Sequence, residues 1–389
     1  MKKIPFHRAS ISSREIREVT SVLKSGWLTS GPKTAKFEED FKSYIGCRNA
    51  IALNSCTAGL HLALAACGVG KGDEVITTPI TFPSTVNVVL HLGAIPVFAD
   101  VNVETLTLCP KAVERKITAK TKAVIPVHLA GYPCEMDAIM SVAKGRKLSV
   151  IEDAAHAVET IYKGKKIGTI ADFASFSFYA TKNITTGEGG MLVTDHDELA
   201  ERVKIMSLHG ISKDAWKRYG NGGYQHWDLI EPGFKYNMFD IQAALGIEQL
   251  KRVGSFYKKR EKIVMRYDKA LKNNPLVRII QKPKGSVHGN HLYVVVLNID
   301  SLTVGRDEIM NELQSQGINV GVHFRALHTM SYFQKNFRSS SWEVPNAEFL
   351  SNRLISLPLF PSMKMAEVDY VSDVFNKTLL KFSKKTFQS

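Results

Sequence analysis

Between residues 50 and 195, short runs of nearly continuous apolar positions alternate with stretches whose apolar residues recur at helical spacing. That alternation predicts a mostly parallel sheet covered by helices. Seven runs read as strands: 50–54, 74–78, 95–99, 123–127, 148–152, 174–178 and 191–194. Helices over 58–67 and 136–143 lie between them. Strands apolar at almost every position are buried on both faces, and in such a sheet the ligand crevice lies beyond the strands' carboxyl ends. Functional side chains are therefore expected just after strands, and 54–58, 153–156 and 179–182 are the segments that meet the expectation.

After Met238 the pattern changes. Ile241, Ala244, Ile247 and Leu250 mark one face of a long helix over 239–271, read as the link between two domains. Beyond residue 273, strands at 292–297 and 318–323 alternate with helices at 307–316 and 346–355, an α/β layer of its own. The expected division is a large domain over 1–250, with an N-terminal arm over about 1–30, and a small C-terminal α/β domain over 251–389.

Composition narrows the class. With 389 residues and 44% hydrophobic content the chain can bury such cores. No run approaches the roughly 20 apolar residues of a bilayer span. The start, Met1-Lys-Lys-Ile-Pro-Phe-His-Arg8, has no apolar signal-peptide core, so a cytoplasmic protein without membrane insertion is expected. Cys47, Cys56, Cys67, Cys109 and Cys134 are an odd set without a CxxC pair; they read as reduced thiols, with no metal site. The formal charge of +14 comes from Lys and Arg spread along the chain without a nucleic-acid-binding signature, so no nucleic-acid partner is expected. A basic surface favours encounter with an anionic substrate such as a nucleotide sugar. Residues 377–385 read as a terminal helix with a frayed basic end.

The sharpest chemical signal is Ser175-Phe-Ser-Phe-Tyr-Ala-Thr-Lys182-Asn-Ile-Thr-Thr-Gly187-Glu-Gly-Gly190. A lysine in apolar surroundings has a lowered pKa, which leaves a free amine able to form an imine with an aldehyde. The glycines would let the backbone approach a flat ring. A pyridoxal site also needs a carboxylate beside the ring nitrogen. Asp153, at the end of an apolar strand in Val150-Ile-Glu-Asp-Ala-Ala-His156, fits; taken alone it reads equally as a helix N-cap. A phosphate needs a cradle of N–H groups and hydroxyls, and Asn54-Ser-Cys-Thr57-Ala58-Gly59 joins a strand to a helix start, although Ser and Thr there are also plain caps.

Together these segments resemble the DegT/DnrJ/EryC1/StrS sugar aminotransferase family, pyridoxal 5'-phosphate (PLP) enzymes of the aspartate aminotransferase fold, type I. The similarity also takes in Gly26-Trp-Leu-Thr-Ser-Gly-Pro32, Asp73-Glu-Val-Ile76 and Gly233-Phe-Lys-Tyr-Asn-Met-Phe-Asp-Ile-Gln-Ala-Ala-Leu-Gly246. It implies a large domain with a mostly parallel seven-stranded sheet flanked by helices, plus a smaller C-terminal α/β domain. It further implies that Lys182 bonds covalently to PLP and Asp153 pairs with the ring nitrogen. By the same resemblance Thr57, the Ala58 backbone and Ser177 hold the phosphate, Phe82 stacks on the ring and His156 lies near the ring hydroxyl. Asn237 would reach the phosphate of a neighbouring subunit, making a homodimer with shared active sites. Without the family, Phe82 reads as a core aromatic and His156 as a hydrogen-bonded histidine behind the site. Glu188 either binds substrate or braces the glycine loop.

Leu208-His-Gly-Ile-Ser-Lys-Asp-Ala-Trp216 and Gly321-Val-His-Phe-Arg-Ala-Leu-His328 are similar to the branch that aminates C4 ketones of nucleotide-linked deoxysugars, including those of bacterial lipid A, flagellin and spore-coat pathways. Arg325 could grip a carboxylate or diphosphate, with His323 or His328 lending a sugar contact; as a basic strand end they read equally as surface. The resemblance further implies that residues 27–32, with Thr29 and Ser30, line the sugar site. The implied reaction passes nitrogen from L-glutamate, which leaves as 2-oxoglutarate, to a UDP- or dTDP-linked keto sugar. Lys182 itself favours amine transfer over the sugar dehydratases of the family, which carry histidine there. Amination at C3, another PLP reaction on a sugar, and a non-catalytic regulator are the competing readings.

Overall fold

A computed structural model of the protein describes residues 3–212, 227–337 and 343–384. Its main sheet contains β1 (Asn49–Leu53), β2 (Glu74–Thr77), β3 (Ile95–Phe98), β4 (Thr121–Ile125) and β5 (Ser149–Asp153). After a small hairpin of β6 (Ile161–Tyr162) and β7 (Lys165–Lys166) come β8 (Phe173–Ser177) and β9 (Gly190–Thr194). The order is β1-β9-β8-β5-β4-β2-β3, parallel except for β9, which opposes both neighbours. All seven runs read as strands from sequence form this sheet.

Helices cover both faces: α1 (Ser13–Ser25), α2 (Pro32–Ile45), α3 (Cys56–Ala66), α4 (Ser84–His91), α5 (Pro110–Lys116), α6 (Met136–Arg146) and α7 (Asp197–Ser207). Successive strand residues point to opposite sides. Val124, Val150 and Val193 join Phe37 and Phe41 of α2 in one core, whereas Ile125, Ile151 and Leu192 join Leu60 and Leu64 of α3 in the other. Burial on both faces is the physical reason these runs are apolar throughout.

The long helix α8 (Asp240–Leu271) spans two cores. Ile247, Leu250 and Phe256 pack against the main sheet, and Ile263, Tyr267 and Leu271 pack with a second, antiparallel sheet. That sheet is β10 (Val277–Ile279), β11 (Tyr293–Leu297) and β12 (Leu354–Leu357), in that order. Around it lie α9 (Arg306–Ser315), α10 (Ser331–Asn336), α11 (Pro345–Ser351) and α12 (Met365–Lys381). Alternate residues of β11, Val294 and Val296, pack with Ile80, Phe98 and Tyr132 of the main unit. The N-terminal segment reaches the second unit as well: Ile4 N–H donates to Gly317 O at 2.8 Å, and Asn319 N–H to Ile4 O at 3.0 Å.

Two expectations fail locally. Residues 318–323 form no strand, because their neighbours on the two sides are single bridges, to Ile4 and to Ser356, rather than strands in register. The helix expected over 346–355 stops at Ser351, and its last residues belong to β12. Leu354, Ile355 and Leu357 are fully buried, and a short buried apolar run fits helix or strand equally. The terminal helix ends at Lys381, and Lys385 lies outside the described residues. No helix among the described residues is long and apolar enough to cross a membrane.

Candidate active site

The three segments that follow β1, β5 and β8 converge on one cavity of about 480 Å³. Its lining includes Thr57, Phe82, Asp153, His156, Ser177, Lys182, Glu188 and His323, so the fold brings these eight expected residues together.

The β1–α3 turn is tight for steric reasons. A Cβ on Gly190, at the start of β9, would stand 2.3 Å from the Ser55 carbonyl carbon, and one on Gly59 would stand 2.2 Å from Ser175 Oγ. Only glycine lets α3 start this close to the sheet. Ser55 is the N-cap, its Oγ accepting the Ala58 N–H at 3.1 Å. The remaining N–H groups of the first turn, with the Thr57 and Ser177 hydroxyls, make an electropositive rim suited to an anion. Ala58 does not line the cavity, and its N–H is already taken by the Ser55 cap.

Lys182 sits in the loop from β8 to β9. Its N–H donates to Tyr179 O at 2.9 Å, Thr185 Oγ1 donates to Phe178 O at 3.1 Å, and Gly187 N–H donates to Thr185 Oγ1 at 2.9 Å. The hydroxyls therefore fold the loop, and Gly187 takes a left-handed φ of 82°. Of its three glycines only Gly189 lines the cavity, so two serve the loop and its packing rather than approach to a ring. Glu188 lines the cavity, while its backbone carbonyl is held by Gln242 Nε2 at 2.7 Å and Thr186 Oγ1 at 2.6 Å. The accessible part of Lys182 opens into the cavity, and burial pulls its pKa down to about 8, against the attraction of Cys56 and Asp153.

Asp153 is buried without an ion-pair partner among the described residues. Burial pushes its pKa up, opposed by hydrogen bonds from Thr85 Oγ1 (2.7 Å) and the Ala155 N–H (3.2 Å). No helix starts here, which removes the N-cap reading. A buried carboxylate lacking a counter-ion, a desolvated amine and an anion rim on one cavity match the ring nitrogen, aldehyde and phosphate of the cofactor expected from sequence.

The cavity also holds residues that carried no sequence signal. His291 Nδ1 lies 2.7 Å from Asn183 Oδ1. Asn183 spends its amide hydrogens on Glu159 and on Gly289 O (2.9 Å), so Oδ1 accepts and His291 Nδ1 donates. His156 Nδ1, by contrast, accepts the Ala130 N–H at 3.1 Å. Opposite tautomers are thus fixed in two rings 4.3 Å apart. Buried Arg260 of α8 pairs with Glu159, tying the residue beside Lys182 to the helix that joins the two cores. Asn183 and Glu159 both lie in or beside the recognised motifs, and position next to Lys182 was the available clue.

Five expected residues lie elsewhere. Asn237 Nδ2 donates to Ser30 Oγ at 2.8 Å, and both border a second cavity of about 370 Å³ with Trp27, Glu38 and Lys204. Thr29, whose carbonyl accepts the Asp240 N–H at 3.3 Å, lines neither cavity. Arg325 turns back to Thr329, donating to its Oγ1 at 3.2 Å and carbonyl at 3.1 Å. His328 is buried beside Glu348, 3.3 Å away. The 3₁₀ turn at Leu327–Thr329 folds both away from the cavity. In the segment 208–216, residues 213–216 lie outside the described residues.

Comparison with known proteins gives concordant results. The profile of the DegT/DnrJ/EryC1/StrS aminotransferase family matches residues 9–376. An uncharacterised protein of Methanocaldococcus jannaschii, MJ1066, is 51% identical over 373 residues, 96% of each chain. The spore coat polysaccharide biosynthesis protein SpsC of Bacillus subtilis is 48% identical over 370 residues, 95% of each chain. Spr1654 of Streptococcus pneumoniae, a candidate sugar aminotransferase solved in its PLP form, superposes with a TM-score of 0.91 at 34% identity, covering 98% of this chain and 99% of its own.

Proposed function

The chain belongs to the DegT/DnrJ/EryC1/StrS aminotransferase family, and from that premise we propose that it moves an amino group from L-glutamate to the C4 ketone of a UDP- or dTDP-linked deoxysugar destined for a surface polysaccharide or glycoconjugate. The fold is type I of the PLP-dependent transferases, and the cofactor is PLP. One observation carries the reading: Lys182, Asp153 and the β1–α3 turn open on the same cavity.

When bound, PLP supplies an aldehyde that takes up the amino group and a ring that accepts electrons. Thr57, Ser177 and the first turn of α3 would hold its phosphate, with Ala58 buried behind them, Phe82 would lie against its ring, and His156 would face its hydroxyl. Asp153 would keep a proton on the ring nitrogen, gaining the counter-ion it otherwise lacks. Lys182 would hold the cofactor through its amine and, with that amine free, would take up and return the proton at the substrate carbon. With a pKa near 8, about a quarter of Lys182 is free amine at pH 7.5, against about 0.1% at the ordinary lysine value. Asn237 and Ser30, which face a separate cavity, would serve the site of a second copy in a homodimer.

The protein mixed with PLP should develop the absorbance band of lysine-bound cofactor, and Lys182→Ala should abolish it. Incubation with glutamate and a panel of UDP- and dTDP-linked keto sugars, read by mass and NMR, should place nitrogen on C4. Nitrogen on C3, or no transfer at all, would count against the proposal.

A further inference from the structure

The N-terminal segment crosses the cavity as a strap. At one end Ile4 is tied to residues 317–319 of the second unit. At the other, Ser10 O accepts from Gln249 Nε2 at 2.9 Å and Arg252 Nη1 at 3.2 Å on α8. Between these ties Phe6 and His7 both line the cavity. Phe6 lies nearly flat on His323, with centroids 5.3 Å apart at 14°, so strap and second unit present a joint aromatic wall. Phe82 and Phe324, 6.0 Å apart, lie on the same cavity.

His7 carries the more specific signal. Its ring meets Phe360 edge-on at 6.4 Å and lies beside the Ala180 backbone, and its Nε2 is shut off from solvent without a hydrogen bond of ordinary geometry among the described residues. A buried polar atom left unpaired is unfavourable, and a small turn of the ring toward the cavity would let a ligand atom pair with it. Carboxylate and phosphate oxygens only accept, and ammonium only donates, so each fits one tautomer of the ring; a hydroxyl fits either. The flat aromatic surface beside it suits the C–H face of a pyranose, which is apolar and planar enough to pack on a ring.

We propose that the strap forms a wall of the sugar subsite, with Phe6 packed on the pyranose ring and His7 Nε2 hydrogen-bonded to one of its hydroxyls. This rests on the proposed transfer to a keto sugar and adds the residues that recognise the sugar ring. The strap is anchored on both units, so it holds the ring over Lys182 without belonging to the loop that carries the lysine.

The two half-reactions separate the roles. The glutamate half is measured by the cofactor absorbance change with glutamate alone, and the sugar half with the UDP- or dTDP-linked keto sugar that the wild-type protein aminates. His7→Phe, which keeps ring bulk, should lower kcat/KM of the sugar half roughly five- to tenfold, the effect of one lost neutral hydrogen bond. Phe6→Ala should lower it about tenfold or more. The glutamate half should stay within about twofold, and His7→Gln, which returns an amide to the position of Nε2, should recover most of the loss. Calorimetric titration of the cofactor-free variants with the amino-sugar nucleotide product should show the same weakening without turnover. Equal losses in both halves, or none in either, would overturn the proposal while leaving the transferase reading intact. A wild-type protein that aminates no sugar on the panel removes both.

Discussion

Replacing Lys182 by methionine should make the cofactor-free protein more stable, and the gain should depend on pH. The lysine is held in a largely water-excluded cavity, and its pKa falls from 10.5 to about 8. At neutral pH both folded and unfolded chains carry it protonated, so folding confines a cation in poor solvent. A shift of that size corresponds to about 3.5 kcal/mol at ~1.4 kcal/mol per unit, reduced to about 2–3 kcal/mol because part of the side chain still faces the cavity. Between the folded and unfolded values the unfolded chain binds more protons, so wild-type stability rises with pH from about 8 to 10.5. Lys182→Met has no such group and is apolar, similar in length and free of the penalty. Urea unfolding of the two cofactor-free proteins at matched concentration, at several pH values from 7 upward, reads the difference directly. It should be largest near pH 7 and shrink toward zero above pH 10. A methionine variant no more stable than wild type at pH 7, or a gap that ignores pH, would refute the claim that this amine is held in place against its own solvation.

Asn183→Ala should destabilise the protein by on the order of 2–3 kcal/mol in urea unfolding, because it strips hydrogen bonds from buried Glu159, Gly289 O and His291 together. Gly190→Ala puts a Cβ 2.3 Å from the Ser55 carbonyl carbon; PLP affinity in an absorbance titration should fall at least about tenfold, and stability by about 2–4 kcal/mol. Burial raises the Glu38 pKa to about 7, despite the 2.8 Å hydrogen bond it accepts from the Ala52 N–H. A raised carboxylate pKa means stability is lost as pH climbs through that value, so Glu38→Gln should stabilise by about 1–2 kcal/mol at pH 8 and little at pH 4, measured by unfolding at both.

The parts of the fold that were legible in the sequence share a cause. The seven strands of the main sheet are buried on both faces, so their signal survives without context, and the segments after β1, β5 and β8 could be placed in one crevice from topology alone. Where burial is one-sided or pairing is a single bridge, the signal fails: residues 318–323 alternate like a strand, yet pair only through Ile4 and Ser356. Charge misleads in the same way. Arg325 has the chemistry to grip an anion, but the turn after it offers a carbonyl and a hydroxyl at closer range, and the guanidinium goes there. Phe6 and His7 were illegible for a different reason. They reach the cavity through a bridge to residue 318, and no local pattern encodes a contact so distant in the chain.

That distance matters for how the site works. Of the five histidines that line the cavity, His7, His156, His291 and His323 have their pKa pressed down, first by burial and then by neighbouring cations that include Lys182; the fifth, His128, is raised to about 10 as Cys134 and Glu152 outweigh burial, and its charge is matched by the Glu152 carboxylate 2.8 Å away. Four imidazoles that titrated near neutrality would add positive charge beside the lysine and compete with it for protons. Kept neutral, they offer hydrogen bonds to an uncharged sugar ring while leaving the Lys182 amine as the group that changes protonation in the working range. The four come from the strap, the loop after β5, the approach to β11 and the chain before β12. The cavity becomes a low-charge environment only when both units and the strap are assembled around it. Loosening the strap should therefore raise the Lys182 pKa toward its ordinary value as water enters. In the cofactor-free Ile4→Ala protein, whose strap loses its buried anchor on the second unit, the midpoint of Lys182 acylation against pH, followed by mass spectrometry, should move upward from about 8; a midpoint unchanged from wild type would show that the strap does not exclude water from the lysine.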